Sequence, residues 1–505
     1  MMPQELIAAK SVELHQIIDK ALTIVGDALE QQMPIHEVEG KLHQTYLQAG
    51  RMTVQLLVDC LGNGDVGPQH QLPDGTVLQR SAEPQPRPYV SIFGALNIRQ
   101  YVYAERDGQE IKFTAIAARL DLPEGKFSYL LQDWDQSFAM EQPFGKVSQA
   151  IERILGLDQH VDSLERMNRK MAKAVEAFHG AQPVPAAAEE GEIFVQTADG
   201  KGVPIRRPAD APPIMDHQHR SGPKPDRKKM ATIGAVYSVD RFVRTPEEVV
   251  ESLFRDPRQP RPKTPRPRPR HKRMQAMLDH IDRNGDPVAG RPAVFNWIAE
   301  EMAARHAGSR KPIVCIMDGE ESLWNMRDVL QDDVPMTDIL DLLHVTPRLW
   351  KAALLFHPRE SKSAVKFVRQ RLLRVLRGEV EGVIQGLRRM GTTQELRGNK
   401  LTRLRTICGY LEKNRHRMRY DKYLAAGYPI ASGVIEGACR HIVKDRLERT
   451  GMTWTVPGAQ AMLNLRCVYL TDRWKSFIDF RIARETERLY PYRNTLKTFV
   501  WHAAA

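Results

Sequence analysis

The chain has 505 residues, of which 42% are hydrophobic and 27% charged, and its formal net charge is +12. This length exceeds what one hydrophobic core usually supports, so several domains are expected, and the basic excess favours a polyanionic partner. Because no run of about 18 apolar residues occurs and charges interrupt the N-terminal segment, we expect no membrane span and no signal peptide, and therefore a cytoplasmic protein.

The N-terminal domain, residues 1–62, is predicted to be helical. Apolar residues recur at helical spacing through it, and Pro34 marks a break between two long helices.

A small β region is predicted over residues 63–115. Residues 62–88 are rich in Gly, Pro, Asp and Gln, which predicts a loop. Tyr89–Phe93 and Leu96–Tyr103 then predict a hairpin around Gly94, with Glu110–Phe113 as a third strand.

Residues 116–180 contain the outline of a helix-turn-helix. The pattern predicts a helix, a turn at Gly156 and a second helix capped by Asp158. In a DNA-binding motif the second helix would present Arg166, Arg169 and Lys170 to a groove. Packing inside a protein core explains the same pattern equally well.

Strands are predicted after a Pro/Ala linker at 181–190. Ile193–Thr197 is β-rich and leads to Asp199, with Val203–Ile205 as a possible continuation, and Met230–Val239 predicts another strand. The Arg/Pro-rich strip 255–272 is expected to be extended and exposed. Lys311–Met317 is a short apolar run typical of a strand buried on both faces.

Helices are predicted over most of the remaining chain. They cover 350–426, then Gly433–Arg449, then Pro457–Trp474.

Three carboxylates stand at positions suited to metal chemistry. Asp199 and Asp318 each follow a predicted interior strand and each precede a glycine, which would let a DNA backbone approach. Glu436 lies on a predicted helix whose other exposed positions are cationic. Asp and Glu oxygens are the ligands that Mg²⁺ prefers, and two such ions promote phosphodiester cleavage. An Asp-Gly pair after a strand is also common in ordinary turns.

Four segments resemble those of bacterial insertion-sequence transposases of the ISKra group, distant relatives of the Mutator-like transposases. They are FVQTADGKGVPI, IVCIMDGEESLW, DILDLLHVTPRLW and SGVIEGACRHIVKDRLERTGMTW. The resemblance implies an α/β ribonuclease-H-like catalytic core with an all-helical insertion, preceded by a mostly helical DNA-binding region with a small β-hairpin. The core would comprise residues 191–345 and 427–505, and the insertion residues 346–426.

The resemblance also implies a catalytic DDE triad. It would consist of Asp199 at the end of the first strand, Asp318 at the end of the fourth, and Glu436 on the helix after the insertion. These residues would hold two Mg²⁺ or Mn²⁺ ions and support DNA cleavage and strand transfer. Asp341 and His344 match an accessory pair of similar families, although a histidine simply hydrogen-bonded to a carboxylate is an equally good interpretation.

The five cysteines are far apart and form no CxxC pair, so no structural zinc is predicted. The expected partner is double-stranded DNA, bound by a homodimer. No interaction with a membrane is expected. Besides the helix-turn-helix cations, the DNA-contacting residues are predicted to be Lys201, Arg261, Arg266, Arg268, Arg270, Arg415, Arg440, Lys444, Arg449 and Trp454. Two alternatives stay open: a transposase-derived regulator without catalysis, and a structure-selective nuclease of the same fold.

Overall fold

The computed structural model describes residues 3–206, 228–255, 258, 265–282, 284–331, 334–449, 451–499 and 501. The chain divides into two compact units, which we call unit 1 (Met1–Phe178 and Arg473–Ala505) and unit 2 (His179–Asp472). In the part of the chain so described, no helix combines the length and apolar character needed to cross a bilayer.

Within the described ranges there are twelve strands. They are β1 (Gln69–Gln71), β2 (Val77–Arg80), β3 (Gln85–Ser91), β4 (Gly94–Gln100), β5 (Tyr103–Ala104), β6 (Ile193–Pro204), β7 (Lys228–Val239), β8 (Arg270–Leu278), β9 (His280–Ile281), β10 (Pro287–Val288), β11 (Ile313–Met317) and β12 (Thr337–Leu340).

The α-helices of the same ranges outnumber the strands. They are α1 (Pro3–Glu30), α2 (Ile35–Cys60), α3 (Ala115–Arg119), α4 (Tyr129–Glu141), α5 (Phe144–Leu155), α6 (Val161–Ala172), α7 (Val175–Gly180), α8 (Pro246–Phe254), α9 (Gly290–His306), α10 (Glu321–Gln331), α11 (Leu342–Phe356), α12 (Lys362–Leu376), α13 (Val380–Thr393), α14 (Gly398–Lys413), α15 (Tyr420–Ala425), α16 (Gly433–Ala438), α17 (Asp445–Leu447), α18 (Val456–Tyr469) and α19 (Trp474–Leu489).

Unit 1 begins with the two long helices that the apolar spacing predicts. α1 packs on α2, and Ile17, Ala21 and Ile24 form its buried stripe. Pro34 is the N-cap of α2, which confirms the predicted break.

The β region of unit 1 is larger than predicted. The hairpin β3–β4 is confirmed, with Ser91 opposite Gly94. The expected loop at 62–88 also contains the antiparallel pair β1–β2, because a turn at Asp74-Gly75 lets Leu78 reach the interior, where it is fully buried. The predicted third strand at Glu110–Phe113 is wrong: Phe113 makes only an isolated bridge to Tyr103.

The predicted helix pair of unit 1 is present as α5 and α6. Gly156 ends α5 with φ of 66°, the left-handed conformation that glycine adopts without strain. The N-cap of α6 is His160 and not Asp158. Asn168 does not face outward, because it is buried and donates to Gln136 Oε1 at 2.8 Å. Arg166 and Lys170 are exposed.

Unit 2 is built on a five-stranded mixed sheet in the order β12-β11-β6-β7-β8. β6, β7 and β8 are antiparallel neighbours, whereas β11 pairs with β6, and β12 with β11, in parallel. The first strand of the sheet is therefore central, and the fourth lies beside it.

Both faces of this sheet are covered, so its central strands are apolar throughout. Val195 and Ile316 join the cluster formed with the helices α11 to α14. Phe194 and Cys315 join a second cluster with α9 and α10 on the opposite face, which includes Trp324. The prediction of a strand buried on both faces is confirmed for β11.

Three predictions for this part of the chain need correction. The expected helix over Gly433–Arg449 consists of α16, a π-helix at Cys439–Lys444 and the short α17. The basic strip is exposed at most positions of 265–269 but enters the sheet at Arg270, where β8 begins. Residues from Arg473 onward belong to unit 1, although they were expected to continue the domain 427–505.

Candidate metal centre

Three parallel strands of unit 2 share a register at one edge of the sheet, where β11 and β12 end and β6 continues. Their last residues in shared register are Ala198, Met317 and Leu340. The residues that follow are Asp199, Asp318 and Asp341. Three carboxylates from distant parts of the sequence therefore line one edge of the sheet, the place where sites form in open α/β sheets.

Asp199 differs from its predicted position in one respect. It does not follow the end of a strand, because β6 continues to Pro204 and Asp199 stays paired with Ile233 of β7. The β6–β7 ladder extends past the end of β11, so Asp199 is held by backbone pairing on one side. Asp318 follows β11 directly, as predicted.

Glu436 and His344 complete the cluster. Glu436 lies on α16, and its Oε1 is 3.7 Å from His344 Nε2. His344 Nδ1 is 3.9 Å from Asp318 Oδ2, so the imidazole lies between these two carboxylates. Ligand atoms of Asp341, His344 and Glu436 lie within 4.8 Å of one another, close enough to share one metal ion.

Asp341 is the most enclosed of the four acids. It is the N-cap of α11, where its Oδ1 accepts from the Leu343 amide at 2.8 Å. Ser432 Oγ donates to its other oxygen. Burial raises the pKa of Asp341 despite these hydrogen bonds. The contacts of His344 with Asp318 and Glu436 fit both an accessory role and the alternative of a histidine held by a carboxylate.

Asp199 has a sulfur partner that the sequence analysis missed. Cys439 Sγ donates to Asp199 Oδ2 at 3.3 Å, and the Gly200 amide donates to Oδ1 at 2.7 Å. Burial raises the pKa of Asp199, and the negative charge of Asp318 raises it further. Cys439 follows Glu436 by three residues, one helical turn, which is the signal that would have found it.

The charge of the cluster is not balanced by nearby Lys or Arg side chains. Partial burial and the charges of Asp341 and Asp199 raise the pKa of Glu436. Among the described residues, the ion pairs of Asp318 and Glu436 involve only His344, and none involves Asp199. Clustered carboxylates without a cationic partner form the donor set that a hard divalent cation requires.

Gly319 packs against the ring of Tyr410. A Cβ at this position would lie 2.2 Å from Tyr410 Cε2, so a larger residue would displace the ring. The Arg348 guanidinium stacks 3.3 Å from the centre of the same ring. Burial and the charge of Asp318 raise the pKa of Tyr410 to about 12. No sequence pattern singled out Tyr410. The signal for Arg348 is that it follows His344 by one helical turn.

Gly319→Ala is therefore expected to destabilise the protein by about 1 to 3 kcal/mol through overpacking against Tyr410. Chemical denaturation measures the effect. Gly386→Ala on α13 is the matched control, since a Cβ there meets no atom within 4 Å. In a double-mutant cycle, Tyr410→Ala should reduce the cost of Gly319→Ala. Equal costs in both backgrounds would contradict the packing argument.

The predicted DNA-contacting residues fall in both units. Arg166, Arg169 and Lys170 lie on α6 of unit 1, and Arg261 lies outside the described residues. In unit 2 the exposed members are Arg266, Arg268, Arg270, Arg415, Arg440, Lys444 and Arg449. Lys201 is half-buried and borders the carboxylates, where its charge acts on the Cys439 thiol and lowers the pKa that burial has raised.

Two residues of this region are structural. Trp454 was predicted to contact DNA, but it is buried, and its indole N–H donates to the Leu447 carbonyl at 3.1 Å. Arg446, in the segment predicted to have cationic exposed positions, is fully buried with its guanidinium 4.9 Å from the Trp454 ring centre. The pair packs the chain after the π-helix, so neither side chain presents a surface to DNA in this structure.

Comparison with models of protein families and with curated proteins gives no match. Among solved structures, the chain has a distant likeness to a Drosophila P element transposase strand transfer complex. The TM-score is 0.23 at 8% sequence identity, over 75% of this chain and 94% of that chain. A TM-score this low does not establish a common fold.

Proposed function

We propose that this protein is a divalent-metal-dependent DNA transposase of an insertion sequence, similar to the ISKra group. The observation that carries the proposal is the cluster at the sheet edge. Asp199 on the first strand, Asp318 after the fourth strand and Glu436 on a later helix lie together with His344. This is the arrangement expected from the resemblance of the sequence to ribonuclease-H-like transposases.

The donor set fits divalent metal ions. Asp199 and Glu436 have raised pKa values, because burial and neighbouring carboxylates disfavour their charged forms. A cation held between such groups removes this penalty. Asp199, Asp318 and Glu436 would hold two Mg²⁺ or Mn²⁺ ions, and when bound these would stabilise the charge on the transferring phosphoryl group and activate the attacking oxygen.

The protein's own residues would orient the ligands. The Gly200 amide and Cys439 fix the two oxygens of Asp199, and Trp324 Nε1 donates to the Asp318 carbonyl at 2.6 Å. His344, between Asp318 and Glu436, is placed to act as a further ligand or to hold both carboxylates in position. Direct attack by water and then by a DNA 3′-hydroxyl needs no Ser or Tyr nucleophile.

The proposal includes double-stranded DNA as the partner and a homodimer as the active form. Exposed cations of β8 and of the segment after α16 support contact with phosphates. Ile18, Leu22, Val25 and Leu29 form an exposed stripe at spacings of four, three and four along α1, which supports association of two copies.

The test is a cleavage and joining assay. Purified protein is incubated with the DNA that flanks its coding region, in Mg²⁺, in Mn²⁺ and in EDTA, beside duplexes with scrambled ends. We expect metal-dependent nicks at the element's ends and products joined to target DNA. Cleavage of branched DNA without joining would indicate a structure-selective nuclease instead. DNA binding without any cleavage would contradict the proposed enzyme activity and would favour a non-catalytic DNA-binding regulator.

A further inference from the structure

A basic concave surface lies in unit 1. It has a volume of about 1020 Å³ and is lined by residues of α6, by residues of α19 and by Glu124. Its charged lining residues, which define the α6–α19 groove, are Glu124, Arg166, Arg169, Lys170, Lys173, Arg481, Arg484, Glu485 and Arg488. Seven cations face two acids, so the groove carries a net charge of +5.

The cations have helical spacing on both walls. On α6 they stand at 166, 169, 170 and 173, and on α19 at 481, 484 and 488, so each set occupies one helix face. An ordinary solvated helix mixes both signs around its circumference. Two distant segments thus present aligned basic faces to the same space.

Part of this charge is already neutralised. Lys170 Nζ pairs with Glu124 at 2.8 Å, and Arg488 pairs with Glu124 at 2.7 Å. Arg481 is buried and pairs with Glu485 at 3.3 Å, so it anchors the wall of the groove.

Other cations of the groove are uncompensated. Lys173, Arg484 and Arg166 are exposed, and within the described residues no carboxylate lies within 4.0 Å of their charged groups. Arg166 donates to Ser163 Oγ at 3.4 Å, but no described carboxylate pairs with any of the three cations. They are available to an external polyanion.

We propose that the α6–α19 groove binds the phosphate backbone of double-stranded DNA, with α19 supplying part of the contacts. The expected contacts are to phosphates, because cations on both walls neutralise phosphate charge irrespective of the base sequence. This inference names a binding surface for the partner in the proposed function and rests on it for the choice of DNA. It assigns α19, which no sequence pattern had marked, to DNA binding.

The test measures affinity for a short labelled DNA duplex of arbitrary sequence by fluorescence anisotropy, in EDTA, between about 50 and 200 mM salt. The double variant Lys173→Ala/Arg484→Ala removes two exposed cations. We expect binding at low salt to weaken by about tenfold or more, and the slope of log K against log salt to decrease in magnitude by about 2. Lys475→Ala on α19 is the control, because its side chain is 88% exposed and paired with Asp479, outside the groove.

A second variant should change affinity in the opposite direction. Glu124→Gln removes the partner of Arg488 and one of the two partners of Lys170, which keeps Glu485 at 3.4 Å, so DNA should bind a few-fold more tightly with a steeper salt dependence. Two outcomes would overturn the proposal: a double variant that binds like Lys475→Ala, or tighter binding to an RNA duplex of the same length than to DNA. Because the assay contains no metal, these results do not depend on cleavage. If the variants change DNA affinity as expected but the wild type does not cleave DNA, the proposed enzyme activity fails and the proposed DNA-binding groove stands.

Discussion

Asp199→Asn, Asp318→Asn and Glu436→Gln should each reduce metal-dependent cleavage and joining by at least about 10³-fold. A bound divalent ion contributes several kcal/mol of transition-state stabilisation, and each 1.36 kcal/mol corresponds to a factor of ten in rate. The amide variants preserve side-chain shape but remove the negative charge that holds the cation. At Asp199 the amide can keep the bond from Gly200, so the local fold should persist.

The measurement is the single-turnover rate of nicking, with DNA affinity followed in parallel in EDTA. Affinity should change little, because the groove and the exposed cations are untouched. Glu300→Gln on α9 is the control, an exposed carboxyl with no place in the cluster. Near-normal nicking by any one variant would remove that residue from the proposed site, and near-normal nicking by all three would refute the metal mechanism.

Asp199→Asn should stabilise the metal-free protein. Burial and neighbouring charge raise the pKa of Asp199, so its carboxyl binds a proton more tightly in the folded than in the unfolded chain. The free energy of unfolding of the metal-free protein therefore falls as pH rises from the ordinary carboxyl pKa through the raised one, and the penalty is fully present above the raised pKa. Asp199→Asn removes it, and a gain of about 1 kcal/mol would raise Tm by about 2 to 4 °C.

Bound metal should make the wild type more stable than Asp199→Asn, the reverse of the order expected for the metal-free proteins. A ligand at about 100 times its Kd stabilises the folded state by about 2.7 kcal/mol, so saturating Mn²⁺ should raise the Tm of the wild type well above its value in EDTA. Asp199→Asn should gain little. The Mn²⁺ effect on the wild type should shrink as pH is lowered through the raised pKa values of Asp199 and Glu436, because these carboxylates then bind protons. Thermal unfolding with and without Mn²⁺ measures all of this, and an equal Mn²⁺ gain in both proteins would contradict the site.

Local patterns in the sequence determined much of the architecture. Apolar spacing predicted α1, α2 and the helices after β12, and continuous apolar runs predicted β11. These features succeed because helix and strand periodicity reports directly which face is buried. The strands β1 and β2 were missed because each is too short to show a period, and Leu78 is buried only through tertiary contacts.

The site was predictable only in part, because its residues are far apart in the sequence and meet only in the folded chain. The sequence, through its resemblance to transposases, singled out Asp199, Asp318, Glu436, Asp341 and His344, but spacing along the chain says nothing of how the groups face one another. Tertiary structure alone decided that parallel strands in register bring Asp199, Asp318 and Asp341 to one edge. It also decided that Cys439 bonds Asp199 and that Trp454 is buried. Periodicity records the local environment of each segment, whereas the bond between Cys439 and Asp199 joins residues 240 positions apart and exists only after the sheet has formed.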